Sequence, residues 1–157
     1  MIKEMTLLDA MSVAYRMREC DQKEIAILMP NVSFEQYAMT RYQSAGLKFT
    51  LMDGNQPVCV GGFESASIPG IYTTWMIATD DICAYKRELI RFCRGAIRKL
   101  LEEARKLQAT IHCENTVGQQ FAEHFGYEYN GILPRHGMDN SDYYLYSILG
   151  KQNGGQR

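Results

Sequence analysis

The side chains of this 157-residue chain that could do chemistry gather around two junctions. At the first, His112, Cys113 and Glu114 place an imidazole, a thiol and a carboxylate in three consecutive positions. His112 or Glu114 could act as a general base, and so could Glu64, which stands alone much earlier in the chain. Tyr85, Tyr127, Tyr129 and Tyr144 could act as general acids, provided the fold aims one at the reacting atom. Each candidate base serves equally well as a surface or hydrogen-bonded structural group. Cys113 has no nearby base placed by sequence to activate it as a nucleophile. Neighbours on a strand point to opposite faces, so His112 and Cys113 are not expected to share a metal.

The second junction is Asp80-Asp81-Ile82-Cys83-Ala84-Tyr85-Lys86-Arg87. Two carboxylates at a helix start are favourable as caps, by about 0.3–1 kcal/mol each, and need no ligand to explain them. Lys86 and Arg87 in the first turn oppose the helix dipole. They are either solvated surface charge or a site for an anion.

The elements that must position these groups follow from patterning. Met1–Met5 suits a short strand, and Thr6 or Asp9 caps a helix to about Met17. Asp21 opens a second helix that Pro30 ends. Ser33 with Gln36 forms a capping box for a third, FEQYAMTRYQSA, stopped by Gly46. A hairpin pairs Lys48–Met52 with Pro57–Phe63, where Gly61-Gly62 suggests a bulge or a close backbone approach. The run IYTTWMIA (71–78) is a strand. A long helix runs from Ile82 or Ala84 to Lys106, with an apolar stripe through Leu89, Cys93 and Ile97 and a basic face of Lys86, Arg87, Arg91, Arg94, Arg98, Lys99, Arg105 and Lys106. That face is either solvated or a surface for nucleic acid or another partner. Thr110–Cys113 is a strand, Asn115 caps a helix that Gly126 ends, and Glu128–Leu133 and Tyr143–Leu149 are the last strands. The tail KQNGGQR (151–157) is expected to be disordered.

Composition sets the outer limits. Hydrophobic residues at 46% and charged residues at 22% suit one globular domain over 1–150, and the net charge of −1 gives no global attraction to nucleic acid or membrane. No apolar run is long enough to span a membrane, and the amino terminus lacks a signal-peptide core, so a cytoplasmic location is expected. The five cysteines are scattered without a C-x-x-C pair and are expected to be small buried hydrophobes in a reducing compartment.

The segment ENTVGQQFAEHFGY (114–127) resembles the late segment of the GCN5-related N-acetyltransferase (GNAT) family, E-N-x-A-A-x-x-F-Y-x-x-x-G-F. Glu114, Asn115, Phe121 and Gly126 match, and Tyr127 replaces the final Phe. The order of elements resembles that family from Met1 to Leu149. The resemblance implies an α+β (α/β) fold: a mixed central sheet of about six or seven strands with helices on both faces. For an active member it implies acetyl-CoA, with Met76, Ile77, Ala78, Lys86, Arg87 and Asn115 as the contacting residues. Two departures stand against activity. The Tyr that many members use as general acid falls on Ala122. The Gly-rich loop R/Q-x-x-G-x-G/A, whose N–H groups cradle the diphosphate, is replaced by the glycine-free stretch Ala78–Arg87, where Asp80 and Asp81 would repel it. The run Trp75–Ile82, followed by a basic helix, is similar to the acetyltransferase-like small internal virion proteins of short-tailed phages. That resemblance implies a phage or prophage protein, catalytically degenerate and without a cofactor, that acts in a virion or its assembly through protein partners. The alternatives are an acetyl-CoA-dependent N-acyltransferase with an atypical phosphate site, and a binding module that uses the basic helix face.

Overall fold

The computed structural model describes residues 1–151. One mixed sheet of seven strands has the order β1-β2-β3-β4-β5-β7-β6. The strands are β1 (Ile2–Glu4), β2 (Gly46–Asp53), β3 (Gln56–Ser65), β4 (Ile71–Ala78), β5 (Lys106–His112), β6 (Glu128–Leu133) and β7 (Tyr143–Leu149). Every neighbouring pair is antiparallel except β4 and β5. Parallel neighbours need a crossover, and the long helix α4 (Lys86–Leu100) supplies it.

Helices cover both faces. On one, α1 (Leu7–Arg16) and α3 (Phe34–Gln43) pack Val13, Ala14, Tyr37 and Ala38 against Val60, Trp75 and Ile77. On the other, α4 and α5 (Thr116–Phe125) bring Leu89, Cys93, Phe121 and Phe125 to Cys59, Phe63 and Leu107. The alternation along β3, with Cys59 and Val60 on opposite faces, is the period of two that lets one strand serve both cores. The remaining helix, α2 (Glu19–Leu28), buries only Asp21 fully and lies across the ends of β4 and β5.

Local signals behave as their chemistry dictates. Thr6 and Asp9, read above as rival caps, act together: Thr6 accepts from the Asp9 N–H while the Asp9 carboxylate accepts from the Thr6 N–H. Ser33 and Gln36 form the same reciprocal box. Asn115 accepts from the Gly118 N–H at 2.9 Å, and Gly126 ends α5 with φ +95°, the left-handed conformation glycine adopts freely.

Several boundaries differ from the sequence reading. The long helix ends at Leu100 rather than Lys106, because Lys106 is claimed from both sides as the first residue of β5, opposite Ile71 and Leu149. Tertiary pairing overrides the helix propensity of Glu102–Lys106. Accordingly β5 spans Lys106–His112, not Thr110–Cys113. The second helix begins at Glu19 and not at Asp21. The third ends at Gln43 with Ser44 as its cap, so Gly46 opens β2 instead of stopping the helix. The hairpin's register shift lies between Leu51 and Met52, not at Gly61-Gly62. Gly61 is instead a close approach: a Cβ there would stand 2.9 Å from the Phe49 ring. Two of the five cysteines, Cys59 and Cys93, are buried, but Cys83 is exposed because the turn carrying it lies outside the core. Residues 152–157 of the tail lie outside the described residues. No described helix is long and apolar enough to cross a membrane.

Candidate functional site

The site begins where two strands part. β4 and β5 are in register only at Ile71–Lys106, Tyr72–Leu107 and Thr73–Gln108, although β4 runs on to Ala78 and β5 to His112. Beyond Thr73 they splay, and a cleft of about 180 Å³ fills the fork. Its apolar walls include Met76 and Ile77 from β4, Ile111 from β5 and Phe121 and Phe125 from α5. At its closed end the hydroxyls of Tyr127 and Thr74 are hydrogen-bonded, joining the start of β6 to β4. Burial pushes the Tyr127 phenol above its ordinary range, so it stays protonated at neutral pH.

Splayed strands leave main-chain groups without a ladder partner, and such groups must be satisfied. α2 supplies the partners at the strand ends. Asp21 accepts from the Ala78 N–H at 3.0 Å, and the Arg18 N–H donates to the Ala78 carbonyl at 2.9 Å. One turn later Glu24 accepts from the His112 N–H at 2.9 Å. The three-residue spacing of Asp21 and Glu24 puts both carboxylates on one helix face, which lets one helix cap two strands. Backbone groups alternate sides along a strand, so Met76 presents its N–H and C=O on the same edge as Ala78, toward the cleft.

The charges around the cleft are unevenly matched. Arg18 holds Asp21 through two hydrogen bonds of 3.0 Å. Arg41 pairs with Glu64 at 2.6 Å and lies over the rings of Tyr37 and Trp75, 5.2 and 5.1 Å from their centroids. Glu24 has no cation partner among the described residues. Burial raises its pKa, opposed by hydrogen bonds from the His112 N–H and the Asn115 side chain.

The fold disperses most of the residues singled out from sequence. Glu64 is tied to Arg41 and does not line the cleft. His112 reaches it only through its backbone contact with Glu24, and its ring Nδ1 accepts from the Glu114 N–H at 3.1 Å. Glu114 is exposed. Of the phenols, Tyr127 lines the cleft; Tyr85, Tyr129 and Tyr144 do not. Met76, Ile77 and Asn115 do line it, and the backbone of Ala78 is taken by α2. Lys86 leans over the Phe121 ring, 5.6 Å from its centroid, while Arg87 points to solvent. Ala122 is buried on α5 as part of the cleft wall. No group of His, Cys, Asp and Glu among the described residues could hold a metal.

Arg18, Glu24 and Arg41 were not singled out from the sequence, and Asp21 was read only as a helix start. The available signal was the spacing Arg18-x-x-Asp21-x-x-Glu24, which puts three charged groups on one face at the start of a helix whose Ile25, Ile27 and Leu28 come later.

For acetyl-CoA the fit is divided. The open edge at Met76 suits an extended thioester-bearing arm. The segment that would hold the diphosphate does not suit it. Asp80–Tyr85 is a 3₁₀ helix, and Asp80 and Asp81 make no capping hydrogen bond; both carboxylates project to solvent. This corrects their reading as caps: Thr79 is the N-cap residue, and its side chain bonds nothing. Two N–H groups of this segment are turned inward, Thr79 to the Val58 carbonyl at 2.8 Å and Ile82 to the Thr79 carbonyl at 3.2 Å.

No protein-family profile matches the sequence, and no curated protein sequence matches it. Solved structures do. The protein smu.2055 from Streptococcus mutans UA159 superposes with a TM-score of 0.73 at 16% identity, over 96% of this chain and 99% of that one. The ribosomal-protein-S18-alanine N-acetyltransferase from Escherichia coli gives 0.69 at 16% identity, over 100% and 97%. An acetyltransferase of the GNAT family from Streptococcus pneumoniae gives 0.68 at 14%, over 95% and 98%. Likeness at such low identity establishes the fold: the chain has the acetyltransferase fold of the GNAT family.

Proposed function

We propose that this acetyltransferase-fold protein works through contacts with protein partners and does not transfer acetyl groups from CoA. The observation that carries this reading is the connection from Thr79 to Tyr85. It spends the N–H groups of Thr79 and Ile82 on internal hydrogen bonds and offers two carboxylates where a diphosphate would need donors. The buried Ala122 points the same way, because it removes the phenol on α5 that would protonate a leaving thiolate.

What supports a phage or prophage origin, and a place in the virion or its assembly, is the resemblance of the run Trp75–Ile82, which forms the end of β4 and the start of the 3₁₀ helix. On this reading the protein is cytoplasmic during assembly and incorporated into particles afterwards.

A second reading, acyl transfer to an amine, is favoured by the retained fork. Its cleft is lined by a carboxylate without a cation partner, Glu24, and by a protonated phenol, Tyr127.

Thermal unfolding with and without acetyl-CoA separates the two. A ligand at about 100 times its Kd adds about 2.7 kcal/mol, which is roughly 5–10 °C for a domain of this size. The proposal expects no shift; a clear rise would transfer the conclusion to acyl transfer. Mass spectrometry of purified particles tests the virion role, and absence of the chain from them would overturn it.

A further inference from the structure

We propose that the outward row of arginines on α4 (Arg87, Arg91, Arg94 and Arg98) is a docking surface for the phosphate backbone of nucleic acid. The steps between these positions are four, three and four residues. At about 100° per residue all four fall within about 60° of one another, and at about 1.5 Å per residue the row is about 16 Å long. All four are exposed, while Leu89, Cys93 and Ile97 on the opposite side are buried in the core. The row is therefore held rigidly by the sheet beneath it.

Its charge is concentrated and unmatched. Six of the chain's 17 Lys and Arg residues lie on this one 15-residue helix, though the whole protein is slightly acidic. The only acid on the helix, Glu88, is held by the amino-terminal ammonium at 2.9 Å. Glu102 and Glu103 follow the helix and Glu123 is exposed on α5, yet none is within ion-pair distance of the row. Arg94 donates through Nε to the His124 carbonyl at 2.9 Å, which fixes the side chain without neutralising it. Like charges at these spacings repel along a helix, and Arg87 also opposes the dipole at its start. Such an arrangement is locally unfavourable and needs a compensating partner.

Phosphates fit best. Guanidinium groups bind phosphate oxygens through paired donors, and a helix of this width enters the major groove. A lipid surface fits less well, because a membrane-bound helix buries apolar side chains, whereas α4 turns its apolar stripe into the core.

The test is fluorescence anisotropy of the full chain against labelled duplex and single-stranded DNA of mixed sequence. Binding is expected to weaken with added salt, with a log–log slope of about −3 to −4 on duplex if three or four phosphates are neutralised. Arg91→Glu with Arg94→Glu should weaken binding at least about tenfold and flatten the slope by about 2. Should the reversal impair folding, Arg91→Gln with Arg94→Gln, verified by an unchanged circular-dichroism melt, should flatten the slope by the same amount. The proposal is overturned by no binding at low salt, by binding indifferent to either pair of substitutions, or by equal or tighter binding to polyglutamate or phosphatidylserine vesicles.

Discussion

The carboxylate of Glu24 accepts the backbone N–H of His112 at 2.9 Å, joining residues 88 positions apart in sequence. It replaces a strand partner that β5 lost when it parted from β4, and it leaves an uncompensated acid in the cleft wall. A ladder bond has been exchanged for a side-chain bond, and the opening between the strands is the result.

Glu24→Gln keeps an oxygen for His112 and removes a half-buried charge, so it should be near neutral or stabilising at pH 7. The folded-state pKa of Glu24 lies above its ordinary value near 4.5, so its burial disfavours the ionised form. Wild type should therefore gain on Glu24→Gln as pH falls from 7 toward 4.5, and lose that gain as pH rises through the folded pKa. Melting curves of both proteins across that window check the sign; a parallel pH dependence would contradict it. Glu24→Ala leaves the N–H unsatisfied and should cost about 1–3 kcal/mol.

Arg41 and Glu64 should be unequal partners. Glu64→Gln removes one half-buried ion pair and should cost about 1 kcal/mol or less. Arg41→Ala also uncovers the faces of Trp75 and Tyr37, each worth about 0.5–1 kcal/mol. Urea denaturation should rank Arg41→Ala as the more damaging, and the reverse ranking would show that the stacking contributes nothing.

Tyr127→Phe and Thr74→Val each break the hydroxyl pair at the closed end of the cleft, at a cost of about 0.5–1.5 kcal/mol. The double variant should lose less than the sum, with a coupling energy of about 0.5 kcal/mol or more. Strict additivity in chemical denaturation would mean that the two hydroxyls act independently.

The thiols should react in order of exposure. Cys83 is exposed and should alkylate first in the native state, followed by the half-buried Cys20 and Cys113. Cys59 and Cys93 are buried, and burial pushes both thiols up, that of Cys93 to about 12. Timed alkylation followed by mass spectrometry reads the order; early labelling of Cys93 would show that α4 opens readily.

Much of the fold was legible in the sequence because its signals are local. Caps at Ser33 and Asn115, the left-handed stop at Gly126 and the alternation of β7 need only neighbours a few residues away. The end of α4 was not legible, since residues 101–106 have helical preferences and lose them only when Ile71 and Leu149 claim Lys106 from either side. The site was less legible still. Glu64, His112 and Glu114 suggested chemistry by residue type, whereas Asp21, Glu24 and Arg41 acquire their places from a helix laid across two strand ends.

The sequence by itself determined the order of elements, the acetyltransferase-like segment 114–127, the loss of glycine between residues 70 and 95, and the basic row on α4. Each is a matter of residue type and spacing along one stretch of chain. Only the tertiary structure decided that β4 and β5 part after Thr73, that α2 spans the gap with two carboxylates, and that Tyr127 rather than Tyr85 meets the cleft. The physical reason is common to all three. An unpaired strand edge must find hydrogen bonds somewhere, and where it finds them depends on which distant segment the hydrophobic core has already placed beside it.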